Sequence, residues 1–289
     1  MRVLMLSLIV AGVLFSSSAP AQLTVKNGAD IDMNGSTGSQ IIFPDGTTIG
    51  SANDVAIPDG HGGTNNTVSG TNAYVGGGGY NVATGTASVV TGGWSNSATE
   101  PYSAVGGGEF NVATGDYAFV GGGKFNQANA DFATIGGGGA TAGGYGNAVT
   151  DDYGTVGGGT RNQAGDYAGT NIDAQYATVS GGHENLAGAY GSVVGGGGFN
   201  EVSGQYGTIG GGGAASASSA NRVTDGWGTV AGGRSNMAGD LAGSTTDSSN
   251  ATVGGGIDNI ASAANATVAG GKENLAGGRP DFNGTFATV

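Results

Sequence analysis

The chain has 289 residues, of which 65 are Gly, none is Cys, and only 8 are Lys or Arg against 21 Asp or Glu. A net charge of −13 argues against nucleic acid and anionic membrane surfaces as partners, because neutralising phosphate needs clustered Lys and Arg. The missing cysteine excludes disulfides, thiolate metal centres and a lipid-modified N-terminus, and although the aliphatic content is low enough for disorder, charged residues are only 10%, so the pattern along the chain has to decide.

Residues 1–21 read as an export signal. Arg2 is followed by an apolar run from Val3 to Phe15, then by small residues, and Ala19-Pro20-Ala21 fits a cleavage site that leaves Gln22 first. The run is shorter than the ~20 residues a bilayer span needs, and no other stretch supplies one. The chain is therefore expected to be exported, to the cell surface, the outer membrane or the medium.

Residues 22–58 read as a separate β segment that caps the first coil of a repeat domain. Leu23/Val25 and Ile31/Met33 alternate, and Phe43-Pro44-Asp45-Gly46 returns as Ile57-Pro58-Asp59-Gly60. Pro-Asp-Gly is turn chemistry, Pro fixing φ and Gly accepting positive φ.

Residues 59–289 are that repeat. An apolar marker precedes each glycine run at Val75, Val90, Val105, Val120 and Ile135, always fifteen residues apart. It continues at Val156, Val179, Val194, Ile209, Val230, Val253, Val268 and Val289, with gaps of 15, 21 or 23 residues, and Gly60 holds its place in a degenerate first copy. Two residues before the marker stands Ala, Ser or Gly, and the second and third residues after each internal marker are Gly. Asn follows the marker by six residues at Asn81, Asn96, Asn111, Asn126, Asn162, Asn185, Asn200, Asn236, Asn259 and Asn274, and comes six residues late as Asn147 and Asn221.

Small-Thr-Val, as in Ala177-Thr178-Val179, is a period-two strand with Ala and Val on one face, and the glycines end it and turn the chain. Glycine at this density excludes a helix. A fifteen-residue unit cannot bury a face alone, so the copies must stack. The expectation is an all-β, parallel β-solenoid or β-roll of about 13–14 coils at ~4.8 Å per coil, with Asn stacked on Asn in a structural ladder. The 21-residue gaps carry six extra residues before Asn, around Ala142 and Ser216, and the 23-residue gaps carry eight beyond it, around Asn171 and Thr246. Both kinds recur 74 residues apart and are expected to bulge as loops on a fixed edge.

Three residues before the marker lies an aromatic column, Tyr102, Tyr117, Phe132, Tyr153, Tyr176, Tyr206, Trp227 and Phe286, pointing out of the narrow coil interior. It suits a seam between copies or an adhesive stripe, and the seam is the preferred reading because interfaces are rich in aromatics. Asp116, Asp131 and Asp152, one position earlier, form a stack that a cation could bridge or that is simply a solvated edge. Thr134, Thr155, Thr178, Thr208, Thr229, Thr252, Thr267 and Thr288 form a further column, one residue before the marker.

Enzymatic motifs are missing. Gly121-Gly122-Gly123-Lys124-Phe125 and Gly270-Gly271-Lys272-Glu273-Asn274 lack the Ser or Thr that a phosphate loop places after Lys. His61 and His183 lie in different copies, and no acidic pair is placed for sugar hydrolysis. No catalytic, cofactor or metal site is expected.

These units, for example Ser103 to Gly115, resemble the head repeats of the trimeric autotransporter adhesins (YadA-like), with a period of fifteen where that family has fourteen. The resemblance implies a left-handed parallel β-roll, a homotrimer, surface display, and attachment to extracellular matrix, host or abiotic surfaces. It also implies a stalk and membrane anchor beyond Val289, so the chain reads as C-terminally incomplete. Ile41 to Thr48 resembles segments of phage and surface fibres. An ice-binding solenoid, built on the Thr column, is the alternative from another class.

Overall fold

A computed structural model describes residues 63–140, 146–166, 170–213, 215–240 and 245–277, and the backbone of 41–42 and 48–49. Residues 1–21, expected to act as an export signal, most of the 22–58 segment, Gly60, His61, Ala142, Phe286, Thr288 and Val289 lie outside the described residues. In the first of two units, Met1–Ala56, Ile41–Ile42 pairs antiparallel with Thr48–Ile49, Ile41 opposite Ile49. The Pro44-Asp45-Gly46 turn sequence lies between these two strands.

The second unit, Ile57–Val289, is a parallel β-solenoid. Among the described residues, every coil gives one two-residue strand to each of two parallel sheets. The first sheet has 12 strands, from Tyr74–Val75 to Thr267–Val268, each ending on a marker. The second has 13, from Thr67–Val68 to Leu275–Ala276, each beginning directly after the Asn. Neighbours in a sheet come from successive coils, so register is identity: Val120 lies beside Val105 and Ile135, and Ala128 beside Ala113 and Val149. Isolated bridges four residues past the marker add a third line of contact, as from Glu109 to Lys124. The strand after the Asn escapes a sequence reading because its two residues, such as Gln127-Ala128, carry no β-branched run.

Two turns join the strands of a coil. The glycine edge runs from marker to Asn, and the aromatic edge runs from the second strand back to the next marker. The two kinds of insertion lie on opposite edges and not on one: the 21-residue coils lengthen the glycine edge, the 23-residue coils the aromatic edge.

The core is one side chain thick. Val or Ile from the first sheet meets Ala from the second, both fully buried. Val149, Val202 and Val223 stand where most described coils have Ala, and in these three the residue five positions on is Gly, at Gly154, Gly207 and Gly228; the half-buried Val68 of the first described coil is followed at that distance by Ala73. A Cβ on Gly228 would sit 2.7 Å from Val223 Cγ1, and one on Gly207 equally close to Val202 and Val223 Cγ1. Volume added on one wall is removed from the other, as close packing demands.

The Asn ladder closes the glycine edge. Asn126 Nδ2 donates to the Gly122 carbonyl of its own coil (2.9 Å) and to the Gly138 carbonyl of the next (3.0 Å). Its backbone N–H donates to Asn111 Oδ1 (3.1 Å), and its own Oδ1 receives the N–H of Asn147 (3.0 Å). Asn147 and Asn221, displaced in sequence, stand in the same file, and Asn66 is its first described member. From Asn81 to Asn259 the file is buried, so its amides are satisfied only by one another and by glycine carbonyls. The third glycine after the marker is fixed by the same closeness: Gly123 has φ +93°, and a Cβ there would meet the Gly138 carbonyl oxygen.

Two outcomes check this packing. Gly228→Ala is expected to destabilise the chain by about 1–3 kcal/mol through overpacking against Val223, and adding Val223→Ala should restore most of the loss in urea unfolding. Asn126→Leu takes away the acceptor of the Asn147 N–H and the side-chain donor to the Gly122 carbonyl, and is expected to cost about 1–3 kcal/mol, read as a fall in melting temperature.

Candidate binding edge

The aromatic edge is shaped by a turn that most sequences build with glycine. In a typical coil the Ala118 N–H closes onto the Gly115 carbonyl (3.1 Å), with Asp116 and Tyr117 at the corner. Tyr117 has φ +58°, the sign a type II turn needs at its third residue. Gly or Asn normally fills that position; here Tyr102, Tyr117, Phe132, Tyr153, Tyr176, Tyr206 and Trp227 hold φ between 56° and 63°.

Two interactions offset a strain on the order of 1–2 kcal/mol per residue. The left-handed residue reverses its amide, so that Phe132 N–H donates backward to the Asp116 carbonyl (2.8 Å) while the strand amides donate forward. The side chains also stack. Tyr102, Tyr117, Phe132, Tyr153 and Tyr176 form one pile with centroid separations of 4.7, 5.1, 4.9 and 4.9 Å and interplanar angles of 2–12°. Where Gly191 interrupts the column, Tyr190 swings in edge-on to Tyr176 and Tyr206, and the file resumes with Tyr206 on Trp227. The rings remain about half exposed, Tyr117 at 51% and Trp227 at 53%.

A second left-handed column on the glycine edge was not legible as a site. It holds Tyr80, Phe110, Phe125 and Phe199, each directly before the Asn, and Phe110 stacks on Phe125 at 5.0 Å. The signal for it was present in the repeated Phe-Asn and Tyr-Asn pairs.

Charge divides between the two edges. Glu100, Asp116, Asp131, Asp151, Asp152, Asp166, Asp173, Asp225, Asp240 and Asp247 all lie on the aromatic edge, which among the described residues carries no Lys or Arg. The five described cations, Lys124, Arg161, Arg222, Arg234 and Lys272, sit on the glycine edge and the adjoining outer face of the second sheet, with Glu109, Glu184, Glu201, Asp258 and Glu273. There Lys124–Glu109, Arg161–Glu184 and Arg222–Glu201 pair across coils at 2.6, 2.7 and 3.2 Å. One side is strongly anionic, the other neutral.

Asp116, Asp131 and Asp152 do stack as their spacing indicated, held by backbone and not by one another. Asp131 Oδ1 accepts the Asp116 N–H (2.9 Å), and Asp152 Oδ1 accepts the Asp131 N–H (3.1 Å). Sequence reasoning missed two further acidic groups, Asp151/Asp166/Asp173 and Asp225/Asp240/Asp247, in which two Asp of a lengthened 23-residue coil meet one Asp of the turn before it, with carboxylate oxygens within 4.8 Å of one another. Their 74-residue recurrence was visible, but the loop folding back over the preceding turn was not. Asp151 is buried; its Oδ1 accepts the Ala174 N–H, and its Oδ2 accepts the Asp166 N–H and the Thr150 hydroxyl, each at 3.1 Å. Asp225 repeats this with Ser248, Asp240 and Thr224. Burial pushes both carboxyls up from their ordinary range, Asp173 and Asp247 adding to the rise while the loop N–H groups oppose it. An all-oxygen donor set of this kind suits a hard cation such as Ca²⁺.

The remaining candidates fall away from this edge. The Asn ladder is interior and structural. His183 stands against Glu184 and Phe199 on the glycine edge. The Thr column faces outward from the first sheet in two registered runs, Thr134–Thr155–Thr178 and Thr208–Thr229–Thr252–Thr267, separated by Val193. The chain matches no protein-family model and no curated protein sequence.

Because Asp151 and Asp225 bind protons more tightly folded than unfolded, they cost stability as pH rises above the ordinary Asp value of 3.8 and cost none below it. Asp173→Asn with Asp247→Asn relieves part of this. The double variant is expected to melt above the parent at about pH 7 and level with it at about pH 3.

Proposed function

We propose that the chain is a non-catalytic attachment module, a surface-displayed head of the trimeric autotransporter adhesin kind, exported through its N-terminal signal. The observation that carries this reading is a stiff, repetitive scaffold holding an exposed aromatic file along one edge. Exposed apolar surface in such a continuous strip marks a contact site, and here the strain of left-handed aromatic residues is tolerated to keep it outward. Fold alone does not give function; the exposed aromatic edge supports the attachment role.

The acidic groups do not read as an acid–base pair for sugar hydrolysis. Both oxygens of Asp151 and Asp225 are engaged by loop N–H groups, which gives them a part in holding the insertion. Ice binding is the weaker second reading, since the Thr face opens with Tyr74, Val89, Ala104 and Phe119 and breaks at Val193.

The charge division bears on how copies associate. Ten acidic residues on the aromatic edge repel a second copy of that edge, so the trimer is proposed to form through another face, leaving the aromatic file outward. That departs from the preference for a seam drawn from residue types alone.

Sedimentation equilibrium of the exported chain is expected to give a trimer that persists when Tyr117, Phe132 and Tyr153 are changed to Asn. The same variant, displayed on cells, is expected to attach less well than the parent to host and abiotic surfaces. A monomeric parent would sink the trimer, and unchanged attachment would sink the role of the file.

A further inference from the structure

We propose that the aromatic edge is a docking surface for an extended, Lys- or Arg-rich polypeptide segment lying along the coil stack. The proposal deepens the attachment reading and rests on it only in leaving this edge free of other copies.

Three observations select that occupant. The ring planes lie within 2–12° of one another in the pile from Tyr102 to Tyr176, so neighbouring rings cover each other's faces and present edges and hydroxyls outward. That leaves no flat platform for a sugar or a base within the pile, but it suits the methylene stem of a long basic side chain. One residue away runs the carboxylate file of Asp116, Asp131 and Asp152, the last two oriented by backbone N–H groups and all three reaching solvent. Among the described residues no cation shares the edge, and none pairs with these carboxylates. Charge complementarity and apolar stems then point to the same partner.

The dimensions set its length. Five rings from Tyr102 to Tyr176 span roughly 20 Å, the reach of about six residues of extended chain. Side chains on one face of such a chain recur at ~6.6 Å against the ~5 Å step of the coils, so long flexible basic residues fit where short rigid ones would fall out of step.

The test uses the full exported chain and a fluorescent deca-lysine peptide, with deca-glutamate as control, followed by anisotropy at low and moderate salt. Binding of deca-lysine alone is expected, weakening as salt rises. Asp116→Asn/Asp131→Asn/Asp152→Asn is expected to weaken it about tenfold or more. Glu109→Gln/Glu184→Gln/Glu201→Gln, which changes net charge equally on the other side, should leave it within about twofold. Tyr117→Asn/Phe132→Asn/Tyr153→Asn keeps the charge and places a residue favoured at positive φ, so it preserves the turn; it is expected to weaken binding about fivefold. No binding, equal loss from the two charge variants, or no effect of the aromatic variant overturns the proposal. Attachment that persists while deca-lysine fails to bind would overturn this inference alone; binding without attachment would overturn the adhesin reading alone.

Discussion

Coil-to-coil register is the constraint on which every other feature of the structure is built. Each coil offers its neighbour the same groups at the same heights, and the two edges meet that demand in different ways. The glycines that follow the marker leave almost no side chain to pack inside the glycine edge, and the Asn amide replaces packing there with hydrogen bonds. It ties the second glycine carbonyl of its own coil to the third of the next, and receives the N–H of the Asn beyond. On the aromatic edge the turn closes on its own backbone and the side chains stack outside it. One edge is ordered from within, the other from without.

How far the sequence speaks depends on which of these devices is at work. The marker, the glycines and the Asn file are legible because identity of residue is what stacking requires, and even Asn147 and Asn221 fall into place once six residues are looped out. The second sheet is not legible from propensity, since pairs such as Ser97-Ala98 and Glu201-Val202 share only a small or branched inward residue. Nor is the left-handed backbone at the aromatic positions, where intrinsic preference calls for Gly or Asn and the stack overrides it. The exchange of Val for Ala against Gly for Ala could have been seen at Val149/Gly154 and Val223/Gly228, but its meaning needs the knowledge that residues five apart face each other across the interior.

The candidate edge was half visible. The aromatic and Asp columns could be aligned from the repeat alone, while the partition of charge needed the second turn to be located. Acidic residues four or five positions before a marker and basic residues four or five after one look interspersed along the chain. Folding sorts them to opposite sides. That sorting turns an overall acidity, which would merely keep the chain soluble, into a directional field.

The register of identical residues also makes reach a variable separate from fold. Removing fifteen residues from one marker to the next brings Val beside Val and Asn beside Asn again, so a slip of the replicating gene across one repeat yields a shorter stack with every interface intact. Each such event moves whatever the far end carries by a single ~4.8 Å step. The coils around Val149, Val202 and Val223 lack this freedom, because cutting between such a Val and its Gly would leave a wall too thick or a void.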